Sequence, residues 1–347
     1  MLCANAHSLT APIVVGCAGT KLSRDEMTLF RDFNPVGLIL FSRNIDTPYN
    51  LKKLINSFKD VVKNDEPLIM IDQEGGRVQR LGPPFWNSFP DMKTFGDLFL
   101  DDKVETETCT FLNFRLIAKD LWELGINFNC APVIDVPRPR SHKVIGDRAF
   151  SSNAKTVARL GRAACNGLMA GSIVPIVKHI PGHGRALVDS HVNLPVIATT
   201  EQRLRKTDFY TFKCLNDVPA AMTAHVIYPS LDSSNPASTS KTIINSVIRK
   251  HIGFNGLLIS DDLCMEALSG KIEERAENAL TAGCDLVLHC SGNFTEMVKI
   301  AEKSFSLSHP SFCRLQNAKG TVTDSEKFDF KGAKARISAF LKEKKLS

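Results

Sequence analysis

Short apolar runs rich in β-branched residues recur along the chain at 12–17, 37–41, 68–71, 128–134, 173–177, 220–223, 257–259 and 286–288. Each has the length of a buried strand and is too short for a buried helix. Stretches with apolar positions at helical spacing lie between them, at 24–33, 49–62, 105–124, 155–170, 201–215, 243–251, 272–282 and 295–305. Gly125, Gly171, Gly253 and Gly283 punctuate the joints, as turns and helix ends require. Strand–helix alternation repeated eight times predicts an α/β fold, a single (β/α)8 TIM-like barrel. An open doubly wound sheet is the competing arrangement, but no G-x-G-x-x-G follows the first strand, which argues against its dinucleotide-binding form. The barrel is expected over residues 1–305, with 306–347 as a C-terminal extension. Within it, 309–328 reads as polar and irregular, and 333–344 as a terminal helix with a basic end, packed on the barrel.

Composition narrows the class. The chain has 347 residues, 43% hydrophobic and 23% charged, the balance of a water-soluble globular protein. No apolar run reaches the ~18 residues that span a bilayer, and the first residues lack the basic start of a signal peptide; a cytoplasmic protein without membrane partners is expected. Ten cysteines are scattered with no C-x-x-C pair, which reads as buried hydrophobes in a reducing compartment, not as a disulfide framework or zinc ribbon. The net charge of +6 is mild, and no basic block interleaved with aromatics points to nucleic acid.

The chemistry concentrates where strands end, which in a barrel is the active-site face. The third run ends in Asp72-Gln73-Glu74-Gly75-Gly76-Arg77-Val78-Gln79-Arg80, and the fourth leads to Asp135 and a long loop with Arg148. The fifth ends in Lys178-His179 and opens into a segment carrying Pro181, Gly182, His183, Gly184, Asp189 and His191. The sixth ends in His225 and the seventh in Ser260-Asp261-Asp262. Bland alternatives exist for several. Asp72 could cap a helix, Arg80 could form a surface ion pair, Asp262 is expected as the N-cap of the following helix, and His183 could bond only within its loop. His225 and His289 read equally as satisfied core histidines. His179 and His183 stand four apart, but Pro181 and Gly182 forbid the helix that would present them to zinc. A loop-based site with His191 and Asp189 is the remaining metal option, and no metal is expected.

These stretches resemble glycoside hydrolase family 3, and within it the short, single-domain bacterial β-N-acetylglucosaminidases. The matching segments are 37–44 (GLILFSRN), 71–80 (IDQEGGRVQR), 131–135 (APVID), 144–148 (VIGDR), 178–184 (KHIPGHG), 189–191 (DSH), 223–229 (TAHVIYP) and 260–263 (SDDL), spread over roughly residues 10–300. The resemblance implies a TIM-like barrel and a retaining exo-β-N-acetylglucosaminidase. It implies Asp261 as nucleophile, His191 as acid/base on a mobile loop and Asp189 as the partner of His191. It also implies that Asp72, Arg80, Arg148, Lys178 and His179 hold the sugar, with no cofactor and no metal. The implied substrate is a small saccharide, a cytoplasmic muropeptide met during cell-wall recycling, and a monomer is expected. The chain departs at Ile180, where the family commonly has phenylalanine. A β-glycoside phosphorylase, another family 3 β-glycosidase, a metal-dependent barrel hydrolase and a non-enzymatic binding module are the rival readings.

Overall fold

The computed structural model describes residues 10–322 and 327–346. Its strands are β1 (Ala11–Val15), β2 (Pro35–Leu40), β3 (Leu68–Ile71), β4 (Gln73–Gly75), β5 (Val78–Gln79), β6 (Phe128–Asn129), β7 (Val174–Ile180), β8 (Ala220–Thr223), β9 (Leu257–Asp262) and β10 (Leu286–His289). β4 and β5 pair as an antiparallel hairpin, and the other eight close a parallel barrel in the order β1-β2-β3-β6-β7-β8-β9-β10. All eight expected runs are barrel strands, so the chain is a (β/α)8 barrel. The hairpin leaves no mark in the hydrophobic pattern, because its Gly76-Arg77 turn sits inside a polar stretch without alternation.

The helices are α1 (Arg24–Phe33), α2 (Pro48–Val61), α3 (Met92–Leu98), α4 (Lys103–Trp122), α5 (Ala154–Met169), α6 (Glu201–Lys206), α7 (Asp208–Cys214), α8 (Ile272–Ala282), α9 (Phe294–Glu302), α10 (His309–Lys319) and α11 (Phe330–Leu346), with a further helical segment at Ile243–Ile252. Their starts are written in side chains. Ser23 and Glu26 cap α1 reciprocally, and Asn153 and Asn293 accept from the first free N–H groups of α5 and α9.

Alternation along the strands divides the core in two. Ile13, Val15, Leu38, Leu40, Ile69 and Ile71 face the helical ring. Val14, Val36, Met70, Phe128, Val174, Ala220, Leu257 and Leu286 fill the barrel together with Leu307, Leu315 and Ala318. The last two belong to α10, so the stretch expected to be irregular instead supplies a helix that floors the barrel. Ser308 caps it and Pro310 sits in its first turn. Ser311 and Arg314 bind the buried Asp285 at 2.8 and 2.7 Å, and Arg249 binds its other oxygen at 2.9 Å. The polar composition that masked the helix is the outer face and this anchor. Helix α11 lies along α4, burying Ala333, Ile337 and Phe340 and pairing Arg336 with Glu105.

Two further expectations change. The segment 201–215 is two helices, broken at Thr207, where the chain turns Asp208 inward to accept from Arg185 Nε at 2.7 Å. Asp262 caps no helix: α8 starts ten residues later, and the Asp262 carboxylate accepts from the N–H groups of Cys264 and Cys290, both at 3.0 Å.

Candidate active site

A cleft of about 270 Å³ opens at the C-terminal ends of the strands. Its walls include Asp72, Arg80, Arg148, Lys178, His179, Asp189, His191 and Asp261, all of the sequence-derived candidates. Phe41, Met222, Met265 and Leu288 supply its apolar surface.

One side is an ion-pair lattice. Lys178, at the end of β7, donates to Asp72 Oδ1 at 2.8 Å and lies 2.7 Å from Glu74 Oε1. Arg80 donates to Asp72 Oδ2 at 3.1 Å, and Arg148 grips both oxygens of Glu74 at 2.8 Å. Burial resists ionisation of Asp72, but the Lys178 ammonium and Arg80 guanidinium outweigh it and hold the carboxyl well below its usual range. Burial likewise opposes the charge on Lys178, and Asp72 and Glu74 overcome it and raise the ammonium's pKa. The lattice is therefore fully charged. Gln73 sets it in place: its side chain donates to Leu81 O at 2.8 Å and accepts from Arg80 N at 2.9 Å and Leu81 N at 3.0 Å. The hairpin thus exists to present Arg80 beside Asp72. Asp72 caps no helix, and the Arg80 ion pair faces the cleft.

The floor is built from histidines and carboxylates. The pairing register of β7 shifts between Lys178 and Ile180, so adjacent residues Lys178 and His179 both serve the cleft. His179 Nδ1 lies 2.7 Å from Asp135 Oδ2, and Asp135 Oδ1 accepts from His183 N at 2.6 Å. His183 Nε2 lies 3.0 Å from Ser190 Oγ, bonding within its own loop. Burial, reinforced by His179, lowers the His183 pKa to about 4, so the ring is neutral. Asp261 is the penultimate residue of β9, with one oxygen accepting from Asp262 N at 2.8 Å. Burial opposes its charge, yet His179 and His225 lower its pKa below the ordinary value. His225 itself is buried between Ser238 Oγ and Asp262 O.

His191 overhangs this floor. Its Nδ1 lies 2.7 Å from Asp189 Oδ1, its backbone N–H donates to the same oxygen at 3.0 Å, and its side chain is 63% exposed. The partial burial of Asp189 opposes its ionisation, but the backbone N–H and ring of His191 lower its pKa. A carboxylate on Nδ1 fixes the tautomer and leaves Nε2 free for chemistry. Upstream, Gly182 has φ +142 and packs on Asp208, and a Cβ on Gly184 would lie 2.5 Å from the Val136 backbone, so the start of the loop requires glycine.

Glu74 and Asp135 carry no role in the sequence pattern, yet each is buried and supplies the charge partners of cleft residues. Buried acids at strand ends beside Arg and Lys were the available signal.

The sequence pattern of the Glycosyl hydrolase family 3 N terminal domain matches residues 7–314. A beta-hexosaminidase of Methylobacillus flagellatus is 36% identical over 89% of this chain and 88% of its own length. That of Bordetella pertussis is 38% identical over 80% of each. Among solved structures, NagZ from Neisseria gonorrhoeae in complex with N-trifluoroacetyl-D-glucosamine superposes with a TM-score of 0.86 at 32% identity, over 96% of this chain and 98% of that one.

Proposed function

The chain belongs to glycosyl hydrolase family 3 and is a glycosidase of the β-N-acetylhexosaminidase type, and from that premise we propose that it removes single terminal N-acetylglucosamine residues with retention of configuration, through a covalent intermediate on Asp261. The observation that carries this reading is the meeting of a half-buried, charged Asp261 with a solvent-facing His191–Asp189 pair in one cleft. Retention needs a nucleophilic carboxylate and a proton donor. Asp261 is fixed on a strand end and held ionised, so it can bond to the anomeric carbon as the aglycone leaves. The leaving oxygen takes its proton from His191 Nε2. The same nitrogen then accepts a proton from water as water displaces Asp261. Asp189 stabilises the imidazolium that precedes the first step and forms again in the second, and the ring is neutral between them. Neither step calls on a cofactor.

Lys178 and Arg80 hold Asp72 as a charged acceptor for sugar hydroxyls, with their remaining N–H groups as donors. Arg148 commits three of its five N–H groups within the protein and keeps two for the cleft: Nε and Nη2 go to Glu74, and Nη1 donates to Val144 O at 3.1 Å. Its part is to orient Glu74 and, through it, Lys178. A cleft of about 270 Å³ matches one substituted pyranose ring and supports removal from a chain end. We take the substrate to be a muropeptide of cell-wall recycling in the cytoplasm; among the described residues no helix is long and apolar enough to cross a membrane.

The test is release of an aryl aglycone from a β-N-acetylglucosaminide. Asp261→Asn should lose about a thousandfold or more, and Asp261→Gly should regain turnover with azide. His191→Ala should lose on the order of 10²–10⁴ with poor leaving groups and far less with activated ones. Full activity of Asp261→Asn would overturn the nucleophile assignment. Product that forms only with added phosphate would make the enzyme a phosphorylase.

A further inference from the structure

Behind the cleft, three residues from separate elements converge. Cys264 lies in the turn after β9, His289 ends β10, and Glu296 stands in the first turn of α9. The sulfur, the imidazole nitrogen and a carboxylate oxygen all lie within 4.8 Å of one another. Glu296 Oε2 is 2.9 Å from His289 Nε2 and 3.9 Å from Cys264 Sγ. Ser291 Oγ is 3.0 Å from the same oxygen and 3.3 Å from His289 Nε2. The His289 ring is fully buried, and its Nδ1 finds no partner among the described residues. All the polar engagement of that ring therefore faces the cluster.

The donor set selects the ligand. A thiol, an imidazole and a carboxylate suit a borderline divalent ion, whereas calcium and magnesium prefer oxygens alone. Zinc bonds of about 2.3 Å to sulfur and about 2.0 Å to nitrogen and oxygen, arranged tetrahedrally, set the donors about 3.3–3.6 Å apart. The spacings of Glu296 Oε2 from His289 Nε2 and from Cys264 Sγ, 2.9 and 3.9 Å, bracket that range, and the sulfur lies within 4.8 Å of the imidazole nitrogen. Ser291 faces the fourth position. We propose that Cys264, His289 and Glu296 form a zinc site that ties the turn following Asp261 to β10 and α9. Binding exchanges the S–H bond of Cys264 for S–Zn and releases that proton to water, with no change of oxidation state. The site is separate from the hydrolytic chemistry but borders it. Cys264 stands three residues beyond Asp261, and its neighbours Asp262 and Met265 line the cleft. A bound ion would fix that wall.

The test uses the full chain, stripped by a chelator and titrated with Zn²⁺ against a chromophoric competitor. One ion per chain is expected, together with a raised thermal midpoint. The Co²⁺ form should show sulfur-to-cobalt charge transfer in the near ultraviolet. Cys264→Ser should abolish that band and weaken Zn²⁺ at least tenfold. Glu296→Gln should weaken Zn²⁺ and retain the band. His191→Ala should change neither, which separates this site from the histidine–aspartate pair in the cleft. A wild-type cobalt complex without the thiolate band would overturn the proposal even if no variant folds. So would undiminished Zn²⁺ affinity in both cluster variants, or loss confined to His191→Ala.

Discussion

Glu74 illustrates how much of the site rests on residues that never meet a sugar. It is fully buried and neutralises two cations at once, Arg148 and Lys178. Removing one member of such a lattice strands the others in a poorly solvated place. Glu74→Gln should therefore cost about 3 kcal/mol of stability, read as a lower denaturant midpoint, and should raise KM more than it lowers kcat as Lys178 drifts from Asp72. An unchanged midpoint with unchanged KM would show that Arg148 and Lys178 find other partners. At this scale the sequence was informative about the groups that face the cleft, because a strand that ends in a charged residue carries that residue to the barrel mouth. Asp261 and Lys178 were legible in that way, whereas His191, on the loop beyond β7, was singled out through the family resemblance. It was less informative about supports, because Glu74 and Asp135 look like any carboxylate until the cations beside them are placed.

At the scale of elements, strands and long amphipathic helices could be read closely, since burial on one face imposes a period that few other constraints imitate. What escaped were elements defined by contacts. The β4–β5 hairpin depends on the bonds of Gln73 to Leu81 and Arg80, and the break at Thr207 depends on an ion pair between Asp208 and Arg185. Helix α10 was hidden by its polar residues, which face Asp285. That carboxylate, 2% exposed, collects Arg249, Arg314, Ser311 and the N–H of Leu258. Asp285→Ala would leave these donors unpaired, so about 3 kcal/mol should be lost. Hydrogen exchange should show α10 opening first. Uniform protection across α10 and β10 in that variant would mean that Leu315 and Ala318 alone secure the floor.

For the whole molecule, acid is the expected weakness. Asp72, Asp135 and Asp261 all have pKa values below the ordinary 3.8. Their contribution is complete above 3.8 and is lost as the pH falls through the lower, folded values. His183 acts earlier. Its pKa is about 4 in the fold against 6.5 in the open chain, so the unfolded state gains a proton first. Stability should fall between those two values, by about 3 kcal/mol in total. Chemical denaturation at a series of pH values should give midpoints that are flat around neutrality and decline below 6.5. His183→Gln, which cannot take the proton, should flatten that decline, and an identical slope in the variant would place the sensitivity elsewhere. The plugged floor has a kinetic counterpart. With side chains packed through the barrel and α10 beneath them, traffic runs through a single door. In the proposed reaction the terminal sugar enters first and lies deepest, so the aglycone has to depart before water can follow and before the sugar itself can leave. On that reading, free N-acetylglucosamine competes with each new substrate for the same entrance, and turnover becomes tied to how quickly that sugar is carried away.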